Sequence, residues 1–167
     1  MKQREAPTLR QTLLAVLVFF ALTVPLVIAW MHWGLGWYAS FLFWILLPLH
    51  DALGWPFTGK GTPGLSMRFV SLVPFVVLVL VTPGLSRRRR LLGSLVGVLL
   101  MVASHLFVIT LANAAFAAGK GAIGRILPFI FLMDGLPLGI WLVVARDFLS
   151  SVVPGLREAP GSGGRPG

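Results

Sequence analysis

The chain has 167 residues, 57% of them hydrophobic and only 11% charged. A soluble domain carries about a quarter charged residues, so this polar coating cannot cover a globular core, and the solvent for the apolar surface is lipid. The 14 Lys and Arg against 5 Asp and Glu leave +9, and the absence of cysteine excludes a disulfide framework, a thiolate metal site and a cysteine nucleophile.

Lys2, Arg4 and Arg10 mark residues 1–11 as a basic N-terminal segment ahead of the first apolar run, Leu13 to Trp30. Eighteen residues at 1.5 Å rise give about 27 Å, close to the hydrocarbon thickness. The run exceeds a typical signal-peptide core and no small-x-small site follows it, so it reads as an uncleaved signal anchor. Pro25 inside it is expected to kink it. Residues 37–51 are short for a crossing and carry Trp37, Tyr38 and Trp44, aromatic types of the membrane interface, so they read as an interfacial or re-entrant segment.

Gly54 to Gly64 is a loop. A second span covers residues 69–85, interrupted by Pro74, closed by Pro83-Gly84 and followed at once by Arg87, Arg88, Arg89 and Arg90. The third span covers 91–118, a glycine-rich turn follows over Gly119 to Gly124, and the last span covers 126–145. Residues 12–150 thus form the membrane bundle, and the Gly/Pro-rich tail 151–167 reads as disordered.

Charge chooses the topology. With four spans, Lys2, Arg4, Arg10, Arg87 to Arg90, Arg146, Arg157 and Arg165 share one side, against Lys60, Arg68, Lys120 and Arg125 on the other. A fifth crossing through residues 37–53 would divide the basic residues evenly. The positive-inside rule favours four spans with both termini cytoplasmic. The arginine run is first an orientation signal and second a hold for anionic head groups, at roughly 1 kcal/mol per basic residue. No folded basic domain accompanies it, so no nucleic-acid partner is expected.

Few residues point to chemistry. A carboxylate inside a span costs roughly 2.5–3.5 kcal/mol on insertion scales, which makes Asp134 the most informative residue. By helix rise Asp134 lies about 18 Å from Arg146 and His105 about 21 Å from Leu91, matched depths on adjacent antiparallel helices. Paired, they would be a proton-handling or partner-binding dyad, or simply an interhelical hydrogen bond that fixes the bundle. Gly135 and Gly139 form a G-x-x-x-G ridge, as do Gly93 and Gly97, serving internal packing or a partner subunit.

His32, His50, Asp51 and Arg68 fall on the outer side. His50 and Asp51 are adjacent, about 100° apart on a helix, and so do not make a two-ligand face. The plainer reading is a polar end where the segment meets water. No metal-binding, phosphate-binding or nucleophile-elbow pattern appears, and no cofactor or metal is expected.

Two stretches look familiar. The first runs from Pro74 through an apolar run to Thr82-Pro83-Gly84, the basic cluster Arg87 to Arg90 and Leu91-Leu92. The second is Leu127 to Leu138, including Met133-Asp134-Gly135, with Ala145-Arg146-Asp147-Phe148 after it. Together they resemble the exosortase H-associated membrane proteins over most of residues 10–150. The resemblance implies a small bacterial inner-membrane protein accompanying an exosortase, a membrane transpeptidase that processes C-terminal sorting signals. Exosortases use a catalytic cysteine, which this chain lacks, so the resemblance implies an accessory subunit.

The expectation is therefore an all-α integral membrane protein, a bundle of four transmembrane helices with one outer-face segment, acting as a non-catalytic partner of an exosortase-like protein. The rival is a membrane-embedded enzyme or proton-coupled transporter component using His105 and Asp134, or His50 and Asp51 at the outer face. A morphogenesis or secretion scaffold is a third reading.

Overall fold

The computed structural model describes residues 9–57, 67–119, 124–146 and 148–149. Most of the N-terminal segment, Lys60, Lys120 and the tail lie outside the described residues, and so does the side chain of Arg68. All regular structure among the described residues is helical. Helix α1 spans Leu9–Ala29, a π-helical turn covers Trp30–Gly34, and α2 spans Leu35–Ala52. A 3-10 turn, Met67–Ser71, leads into α3, Leu72–Val81; α4 spans Arg87–Ala117 and α5 spans Leu127–Val144.

Three helical stretches are long and apolar enough to cross a membrane: Leu9–Ala52, Arg87–Ala117 and Gly124–Val144. The sequence placed a further span at 69–85, but there the helix is Phe69–Val81, about 20 Å long against a hydrocarbon core of about 30 Å. Its end follows from local chemistry. Thr82 leaves the helical region at ψ 120 and Gly84 takes φ 75, a left-handed turn open to glycine, with Pro83 between them unable to donate a backbone hydrogen bond.

The first stretch departs further from expectation. Residues 37–51 are not separate from the first span: α1 continues into α2 through the π-turn, giving 44 helical residues. The helix runs on through Pro25, and a π-helical turn follows at Trp30–Gly34. A π-turn inserts an extra residue into the ladder and is a common seat of bends. Gly34 is required there, because a Cβ would overlap the Trp30 indole. With that room, Trp30 reaches the Tyr38 ring, about two turns further on, at 5.7 Å between centroids.

Apolar contact divides into two clusters. One gathers Tyr38, Leu42 and Leu46 of α2, Phe69, the second half of α4 (Val108, Ile109, Ala112) and the start of α5 (Ile130, Met133). The spacing of four through Tyr38, Leu42, Leu46 and His50 is the buried stripe of α2. The other joins Phe75 and Val79 of α3 to Met101, with Ile140 and Val144 of α5 packed against it. Beyond these contacts, α1 turns Leu13, Leu14, Leu17, Phe20, Val24 and Ile28 outward, all exposed. Large exposed apolar patches mark sites of protein or membrane contact.

The helix ends are arranged in order. Thr12 and Ala15 of α1 share a crevice with Pro83 and Phe148, so the start of α1, the arginine run and the end of α5 meet at one end of the bundle. At the other end Asn113 donates from Nδ2 to the Pro56 carbonyl (2.8 Å), tying the segment after α2 to α4.

Candidate functional site

His105 is buried at 1% exposure on α4. Its Nδ1 and the Tyr38 hydroxyl share a hydrogen bond of 2.7 Å, the donor being set by the imidazole tautomer. Phe69 packs on the imidazole at 4.6 Å and on Tyr38 at 5.5 Å, while Nε2 is buried with no hydrogen-bond partner among the described residues. His105 therefore joins α4 to α2 inside an aromatic box. Its one hydrogen bond goes to Tyr38, not to the Asp134 carboxylate that matched depth offered.

Asp134 is placed differently. It is exposed, on the eighth residue of α5, while Met133 beside it is buried at 3%. At 100° per residue, Ile130 and Met133 point into the bundle, and Phe131, Gly135, Leu138 and Leu142 line the opposite face. Exposure agrees: Phe131 is 71% and Leu138 56% exposed. Asp134 lies on the flank of that outer face. His105 is buried and bonded to Tyr38, whereas Asp134 is exposed, so the two side chains take different directions.

The glycine ridges separate in the same way. A Cβ at Gly93 would come within 2.7 Å of Val144 Cγ1, and one at Gly97 would overlap the buried Phe75 ring and stand 3.3 Å from Ile140 Cγ2. These glycines let α4 meet α5 and α3 closely. At Gly135 and Gly139 an added Cβ would meet nothing within 4 Å. One ridge is consumed inside the chain, and the other faces outward in the middle of an apolar span.

The outer-side polar residues do not converge. His32 is exposed on the π-turn and Asp51 is exposed at the end of α2, whereas His50 is 2% exposed. His50 packs edge-on against Phe57 at 5.0 Å and Trp55 at 6.0 Å, and neither ring nitrogen has a hydrogen-bond partner among the described residues. The sequence placed His50 in water beside Asp51; helical phase puts the two on different sides of α2 and buries the histidine. No group of three His, Cys, Asp or Glu suited to a metal occurs among the described residues.

At the arginine end, Ser86 Oγ caps α4 by accepting from Arg89 N at 3.3 Å. Arg87, Arg88 and Arg89 are exposed, and Arg90 folds back to donate from Nη2 to the Thr82 carbonyl at 3.1 Å. Thr82 Oγ1 donates to the Leu78 carbonyl (2.6 Å) and accepts from Trp141 Nε1 (2.9 Å), which fastens α5 to the end of α3. Sequence reasoning singled out none of Thr82, Trp141 or Asn113 as a bridging residue. The available signal was a polar atom inside or beside an apolar span, which must find a partner.

Compared with family models, with curated proteins and with solved structures, the chain finds no match.

Proposed function

We propose that this chain is a non-catalytic accessory protein of a bacterial inner membrane, docking through the outer face of α5 onto a partner membrane protein of the exosortase type. The open ridge of Gly135 and Gly139 carries the reading. Small residues let two helix backbones approach in lipid, where association depends on close packing and hydrogen bonds. The resemblance of residues 71–92 and 127–138 to exosortase-associated proteins supplies the type of partner.

In this reading α1, α3, α4 and α5 are the four crossings. Phe69, at the head of the short α3, contacts His105, while Thr82, just beyond its end, accepts from Arg90. Helix α3 with its leading turn thus covers the same depth as about 22 Å of α4. The arginine end is cytoplasmic with both termini, and α2 with its exposed Trp37 and Trp44 lies toward the outer interface.

The direct experiment is affinity purification of the tagged full chain from its own membranes in mild detergent. A second membrane protein carrying a cysteine transpeptidase site should co-purify, and Gly135→Ile with Gly139→Ile should lose it while the chain itself is recovered in full. Recovery of the wild-type chain alone would overturn the proposal.

A further inference from the structure

Helix α2 ends in a glycine cap that closes over a histidine. Gly54 takes φ 64, the left-handed conformation that ends many helices. Its N–H donates to the Asp51 carbonyl (3.1 Å), and the Trp55 N–H donates to the His50 carbonyl (2.9 Å). This pair of bonds turns the chain back on α2, and an apolar contact between the residue after the glycine and the last helical turn commonly accompanies it. Here the last-turn residue is His50. Its imidazole meets the Trp55 ring at 6.0 Å and the Phe57 ring at 5.0 Å between centroids. Residues 53–57 thus form a strap over the histidine, fastened to α4 where Asn113 Nδ2 donates to the Pro56 carbonyl.

A leucine under this strap would complete the cap, whereas a histidine brings polar atoms into it. His50 is 2% exposed, and neither ring nitrogen has a hydrogen-bond partner among the described residues. A neutral imidazole has one N–H to satisfy; a protonated one has two and a charge. Burying a charge without acceptors is costly, and water supplies the acceptors once the strap lifts. The surrounding elements carry little to offset that cost. The strap itself holds no titratable group. On α2 the next residue, Asp51, is exposed and about 100° around the helix. On α4 Asn113 is neutral, and His105 is bonded to Tyr38, about three turns along α2 from His50. Arg125, ahead of α5, is exposed.

We propose that the strap over His50 is an acid-opened latch between α2 and α4. It is closed while the imidazole is neutral and lifts when a ring nitrogen takes a proton from water. Histidine is the side chain that ordinarily changes charge between about pH 5 and 8. Opening breaks the tie from Asn113 to Pro56 and withdraws Phe57 from the apolar cluster that it packs against, which contains Leu46 and Ala112. The latch stands at the end of the bundle opposite the arginine run and does not depend on the α5 docking face.

Asn113 is the chain's single asparagine, so selective nitrogen-15 labelling of asparagine gives one side-chain amide signal at the fastening point. The amide does not itself titrate. In the full chain in detergent micelles, lowering the pH from about 7.5 to about 5 should move that signal off its hydrogen-bonded position. His50→Phe keeps an aromatic ring under the strap and cannot take a proton, so its signal should stay in place throughout. His50→Gln, neutral and polar, should remove the response as well and serves if the phenylalanine variant misfolds, which far-UV circular dichroism checks. A wild-type signal unmoved across this range would overturn the proposal. So would an equal movement in a folded His50 variant, which would assign the response to another group.

Discussion

Two G-x-x-x-G ridges in one small bundle have opposite fates. Gly93 and Gly97 on α4 are covered, by Val144 and by Phe75 with Ile140, while Gly135 and Gly139 on α5 have open space above them. The motif is identical and the spacing is identical. What differs is the phase of each ridge relative to the rest of its helix. On α4 the ridge shares a face with Met101 and His105, both 1% exposed. On α5 the inward face is taken by Ile130, Met133 and Ile140, so the glycines fall on the far side. A small-residue ridge therefore indicates only that something approaches; the large residues opposite decide whether it comes from inside or outside the chain.

The most disruptive test of this contrast is Gly97→Leu. The new side chain would enter space filled by the Phe75 ring, which is 1% exposed and held between α3, α4 and α5. Overpacking of a filled core costs typically 1–3 kcal/mol and occasionally more, and this site should lie at the upper end. Thermal unfolding in detergent should show a clear loss of stability. Gly139→Leu is the matched control and should stay within about 0.5 kcal/mol of wild type. Equal losses from the two changes would break the comparison.

The apolar runs are sufficient to find the span-length helices, because hydrocarbon demands continuous helix wherever backbone is not otherwise paired. Pro83-Gly84 and the arginines likewise mark the end of α3 from sequence alone. The continuity of α1 into α2 was not legible. The sequence ended the first span at Trp30, yet the helix runs on, and Gly34 serves to accommodate the Trp30 ring within a helical turn. The Tyr38–His105 hydrogen bond was hidden for another reason. Tyr38 is the chain's single tyrosine and was counted with the interfacial aromatics, whereas its place on the buried stripe of α2 depends on how α2 meets α4. Sequence supplies depth along a helix far better than rotation about it.

Asp134→Asn sharpens the comparison at the outward face. Asparagine keeps the shape and hydrogen-bonding capacity but removes the charge. If a donor on a partner helix meets the carboxylate, co-purification should fall several-fold. Interhelical polar contacts in membranes average ~0.6 kcal/mol and reach ~1.7, and a charged pair belongs toward the upper value. Unchanged partner recovery would confine the docking face to its glycines and apolar residues.

The smallest effect is expected inside the bundle. Tyr38→Phe removes the hydroxyl from His105 Nδ1 and leaves the ring contacts with Trp30 at 5.7 Å and Phe69 at 5.5 Å in place. Because Nε2 is already buried without a hydrogen-bond partner, the variant leaves both imidazole nitrogens without one. The histidine is then a polar group held in apolar surroundings, and the cost should be about 1 kcal/mol. That loss should appear in unfolding measurements and leave partner recovery unchanged, since Tyr38 lies on the covered side of α2. A bond that locks two helices at the covered face then behaves oppositely to the glycine ridge at the open one. If Tyr38→Phe instead abolished partner capture at full stability, the partner would reach the aromatic box, and the division between an inward and an outward surface would have to be redrawn.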